Sequence, residues 1–152
     1  MPTASTLDEA LRLHLIGDAE IASTVGDAVR VGVLMDTDPI AAIVFEQEGM
    51  ETVNHAAGRT NLNAADYRLM VRGRDNRQTH DLAARVQRRM DSMTGWIGRP
   101  ADATSGGVYV QAAFCGGSSK SFEMNEEGND VGERVVELSF TIWHDEPAYR
   151  RV

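Results

Sequence analysis

The chain has 152 residues, 42% hydrophobic and 25% charged, a balance that suits one folded domain and excludes a disordered chain. Its formal net charge of -8 argues against tight holding of nucleic acid, which needs Lys and Arg to neutralise phosphates. The lone Cys115 excludes an internal disulfide, and no apolar run approaches the ~18 residues of a membrane helix.

The amino terminus lacks a basic leader followed by an apolar stretch, so the expectation is a soluble protein made in the cytoplasm. Thr6, with Glu9 three positions on, reads as a capping box. Leu7, Ala10, Leu11, His14 and Leu15 recur behind it at helical spacing, which predicts a helix over 7–15. Gly17 and Asp18 break that helix, and a second short one over 19–24 ends at Gly26. Residues 29–34 read as a short strand closed by a polar turn over 35–39, and 40–48 as a stronger strand with Ile43 and Phe45 on one face. The polar stretch from Gly49 to Asn63 reads as a long connecting loop, the kind that tends to carry function.

Residues 65–73 alternate, with Ala65, Tyr67, Leu69 and Val71 on one side. Asp75 and Gln78 form a second capping box for the main helix, whose buried stripe is Leu82, Ala83, Val86, Met90 and Met93. Gly95 stops it, and Trp96 is expected to pack back onto it. In the next strand Val108, Val110, Ala112 and Phe114 share one face, followed by a polar loop from Gly116 to Gly132. The last strand, 134–143, buries Val136, Leu138, Phe140 and Ile142, and the tail from His144 is left solvated or partner-bound. The sum is a single α+β domain over 1–152. It is a mainly antiparallel sheet of about four to five strands, with one long helix and an N-terminal helix packed on it.

Chemistry is harder to find. The four histidines, His14, His55, His80 and His144, show no paired metal-ligand spacing. The glycines near Lys120 have the wrong spacing for a phosphate loop. Cys115 reads as a buried structural cysteine, and the acidic residues Glu123, Glu126, Glu127 and Asp130 lack the ligand pattern of a calcium loop. No catalytic residue, cofactor site or metal site is expected. Arg85, Arg88 and Arg89 suit either a solvated face or a subunit interface.

The whole chain resembles the phage tail-completion (tail-terminator) family. Ala10-Leu11 through Val25-Gly26-Asp27 is similar to the family's opening helix and its closing turn, and residues 29–33 to the short strand that follows. Pro39 stands where a proline introduces the second strand, 40–46. Tyr67 to Val71, Ala83 to Val86 and Val135 to Trp143 match the third strand, the long helix and the closing strand. Ile40 departs from the aromatic residue usual after that proline, and the loop over 116–132 is longer and more acidic than in the family.

The resemblance implies a structural virion protein at the tail–neck junction. It would form a hexameric ring on the tail tube, stop tube growth and offer the surface that docks the head. Its partners would be further copies of itself, the major tail tube protein and a head-closure or connector protein, with DNA only passing through the lumen. His55, Arg59, Asn61 and Asn63 in the first loop, Lys120, Glu126 and Glu127 in the second, and Arg85 and Arg89 on the helix are the candidate contact residues. The acidic ones would keep passing DNA from adhering. The rival readings are a head-closure or connector protein of the neck, a small hydrolase or ligand-binding domain, and a non-catalytic adaptor domain.

Overall fold

The computed structural model describes residues 4, 6–35, 37–55, 58–91, 93–100, 102–124 and 130–145, without the side chains of 53–61 and 119–134. Helix α1, Leu7–Ile16, starts where Thr6 accepts a 3.2 Å hydrogen bond from the Glu9 N–H, and it buries Leu7, Ala10, Leu11 and Leu15. Helix α2, Ala19–Val25, is capped by Asp18 and ends at Gly26, whose positive φ of 64° suits a residue without a side chain. Helix α3, Asn76–Met90, opens on Asp75, which accepts from the Gln78 N–H at 2.8 Å. The Gln78 carboxamide reaches back to the Arg74 N–H, one residue before the cap. The stripe of Leu82, Ala83, Val86, Met90 and Met93 is buried as its spacing requires, each large member contributing roughly 1.5–3 kcal/mol.

Six strands make one sheet in the order β1-β2-β3-β6-β5-β4. They are β1 Val29–Val31, β2 Ala42–His55, β3 Gly58–Gly73, β4 Gly95–Ile97, β5 Val108–Met124 and β6 Asp130–Asp145. The β1–β2 pair is parallel and every other pair antiparallel. The α+β class stands, but with six strands and three helices. The uncounted strand is β4, whose three residues are too few to show alternation. Helix α3 packs on β3, β6 and β5, while α1 touches both β1 and β4, the two outermost strands. The sheet therefore curls until one helix spans its opposite edges.

Two expected loops are strands. Residues 49–55 continue β2 and 58–64 open β3, paired as far as His55 with Gly58. Residues 116–124 continue β5 and 130–133 open β6, paired as far as Met124 with Asp130. Their polar composition reads as loop only if a strand must cover a core, and the tips of these segments outrun it. At 17 residues β5 is about 55 Å long, whereas a domain of this size has a radius of gyration near 15 Å. The third strand stops early on each arm: β6 meets β3 only between Leu62–Asp145 and Gly73–Arg134. The two paired arms consequently leave the sheet at opposite ends.

A bulge between Val110 and Ala112 shifts the phase of β5. Val108, Val110 and Ala113 face the core, while Phe114 turns outward and is 56% exposed, against the simple alternation. His144 also departs from expectation: it is buried on β6 rather than part of a solvated tail.

Candidate assembly surfaces

The helix layer is tied together by the arginines of α3. Arg85 Nε donates to both Asp18 oxygens, at 2.9 and 3.2 Å, and its Nη1 lies 3.5 Å from Glu20. Asp18 also accepts from the N–H groups of Glu20 and Ile21. Burial pushes this carboxyl up, but the Ile21 N–H and the Arg85 guanidinium outweigh that and hold it below the usual carboxylate range. One turn on, Arg89 Nε donates to the His14 carbonyl at 3.0 Å. His14 Nε2 lies 3.0 Å from the Arg89 carbonyl, which can only accept, so Nε2 carries the proton. Burial holds the His14 pKa below its ordinary value. Both Arg85 and Arg89 thus serve the joint between α1, α2 and α3.

The other candidate residues are dispersed. Asn63 lies on the core face of β3, 2% exposed, opposite His144 on β6, and its Oδ1 has no hydrogen-bond partner. His55 and Arg59 sit in the terminal pairs of the β2–β3 arm, opposite Gly58 and Asn54, and Asn61 follows in β3. Lys120 lies in β5 opposite Val136, which still pairs with Val71 of β3, short of the other arm. Glu126 and Glu127 fall outside the described residues. His55, Arg59 and Asn61 lie toward one end of the sheet and Lys120 toward the other, so the described candidates do not meet in one site.

The sheet face opposite the helices carries a charged row. Arg68 bonds Glu46 and lies 3.3 Å from Glu48, and Thr141 donates to Asp66 at 2.8 Å. A cavity of about 330 Å³ between α2 and α3 is open and lined by Glu20, Thr24, Asp75, Arg77, Gln78, Asp81, Leu82 and Arg85. Its lining contains no thiol, imidazole or base-activated hydroxyl to start a covalent step. Among the described residues no group of three or more His, Cys, Asp or Glu could hold a metal ion, and no helix is long and apolar enough to cross a membrane.

Sequence reasoning missed the apolar surface. Val31, Val33, Met35, Ile40, Met50, Trp96 and Phe114 are large hydrophobic side chains left between 45% and 74% exposed. Trp96 does not return to α3. Its ring lies under the Arg99 guanidinium at 3.8 Å and edge-on to Tyr109 at 5.4 Å. Cys115 is half-buried rather than enclosed.

No family model matches the chain, and no curated protein matches it. Among solved structures it is similar to a chain of the "Virion of native gene transfer agent (GTA) particle", with a TM-score of 0.67 and 16% identity. The match covers 91% of this chain and 94% of that one. The two chains share a fold. Because nearly the whole of each is matched, the likeness is of complete architectures rather than of one common hairpin.

Proposed function

We propose that this protein is a structural subunit of a tailed-phage-like virion, in which it closes the tail tube as a ring and offers the surface that meets the head. The observation that carries this reading is the whole-chain fold likeness to a chain of a gene transfer agent virion. The order and spacing of elements that resemble the tail-completion family add to it. Arms at opposite ends of one sheet suit a subunit with a different partner on each side, tube on one and neck on the other. An acidic chain suits a passage that DNA crosses without adhering. The reading requires no cofactor, no metal and no catalytic step.

Electron microscopy of particles made without this gene tests it. Overlong or ragged tails apart from filled heads are expected. Uniform tails beside heads lacking only a neck would place the protein at the connector instead, and fully normal infectious particles would refute a virion role.

A further inference from the structure

All seven exposed large hydrophobics of the described residues lie on the two flanks of the sheet, and none on a helix or on β3 or β6. Val31, Val33, Met35, Ile40 and Met50 belong to the β1–β2 flank, Trp96 and Phe114 to the β4–β5 flank. The connection that presents Val33, Met35 and Ile40 is held firmly. Arg30 grips the Asp38 carboxylate at 2.8 Å, and Asp38 accepts from the Met35 N–H at 2.8 Å. Arg72 donates to the carbonyls of Pro39 and Ile40. A segment tied by three side chains that still points apolar groups at water is ordered in advance for a contact.

The strand edges agree. β1 pairs with only three residues of β2, and β4 with only three of β5. From Glu46 on β2 and from Gln111 on β5 the described structure places no strand outside them. Asp91 takes the Cys115 N–H, and bulges at Gln47/Gly49 and Cys115/Gly117 interrupt the ladders. Such edges are protected against indiscriminate pairing yet unfilled. β2 and β5 are separated by three antiparallel steps and so run in opposite directions. Setting one copy's β2 beside the next copy's β5 continues the antiparallel alternation.

Charge favours the same joint. The β2 flank carries Glu51 beside Glu46 and Glu48, the last two engaged by Arg68, whereas β5 has no charged residue of its own from Gln111 to Ser119, Asp91 sits against its Cys115 N–H, and the β4 flank offers Arg99. A two-fold contact of β2 with β2 would set like charges against each other. Joining different flanks avoids this.

We infer that the partner for both flanks is a second copy of this chain, the β1–β2 flank of one copy docking on the β4–β5 flank of the next. Contacts between two different patches build a ring when the rotation between neighbours closes and a filament when it does not; with closure, the inference names the joints of the ring proposed above. It rests on that reading only for the ring itself, not for the tail.

Size-exclusion with light scattering on the full chain, wild type, Val33→Glu and Trp96→Glu, tests it. The wild type is expected to exceed a dimer, and each variant to run as a 16.6 kDa monomer. Their equimolar mixture is expected to form a dimer, because each supplies the flank the other lacks. Met35→Glu and Phe114→Glu replace either variant that loses its circular-dichroism melt. A wild type that stays monomeric at every concentration, a single variant that still dimerises, or variants of wild-type size would overturn the inference. A ring that behaves as described while tails stay normal without the gene would remove the tail reading and leave the flank contact standing.

Discussion

Asp18 does two things with one carboxylate: it caps α2 and receives Arg85 from α3. Asp18→Ala is expected to cost about 2 kcal/mol, mostly the cap, and to lower Tm by roughly 4–8 °C in calorimetry. Arg85→Ala should cost less, about 0.5–1 kcal/mol, because the arginine side chain is 36% exposed and water screens the pair. His14 and Asp18 also set the acid response. Each has a folded pKa below its ordinary value, so the unfolded chain takes up each proton first. The His14 share of stability is full well above 6.5 and falls as pH drops through that region, while the Asp18 share is lost only below about 3.8. Tm measured from pH 7.5 to 5 should decline, and His14→Gln should flatten that decline. An unchanged slope in the variant would show that another group sets it.

At the scale of elements, the turn after β4 decides whether α1 can span the sheet. A side chain at Gly98 would stand 2.7 Å from Ala10 and 2.8 Å from Ala4, at a φ of +74° that other residues adopt at a cost. Gly98→Ala is expected to destabilise by about 2–4 kcal/mol, read as a lower urea midpoint with an unchanged slope. The elements that cover the core were legible in the residues, and those beyond it were not. The Leu82–Met90 stripe and the alternation of Ala65 to Val71 and Val136 to Ile142 could be read because one face is apolar and the other polar. Where the arms outrun the helices that contrast disappears, so His55, Arg59 and Asn61 read as loop although their backbone lies in strands. Phe114 misled for another reason: a bulge is a backbone event and leaves no mark in the hydrophobic pattern. The apolar flank hid in a run, Val31 to Met35, that reads equally well as a buried strand. The engagement of Arg85 and Arg89 depended on where α1 and α2 dock, which helical periodicity does not encode.

For the whole molecule, the arms at opposite ends of the sheet predict separable defects in a virion. Arg59→Glu on the β2–β3 arm should alter tail length or infectivity without shifting Tm. Charge reversal at Glu126 and Glu127, between β5 and β6, should slow DNA ejection from particles of normal length. Identical defects from both changes would argue that the arms meet a single partner. The helix that spans both sheet edges also bears on synthesis. The Ala4 N–H bonds the Gly98 carbonyl, a partner 94 positions further along (98 minus 4). At translation rates of about 5–20 residues per second, the segment at Ala4 waits roughly 5–19 s for β4. Through that interval Leu7, Leu11 and Leu15 have no finished surface to cover them. Helix α1 is made well before the strand that covers it, so the nascent chain offers chaperones an apolar helix until β4 emerges.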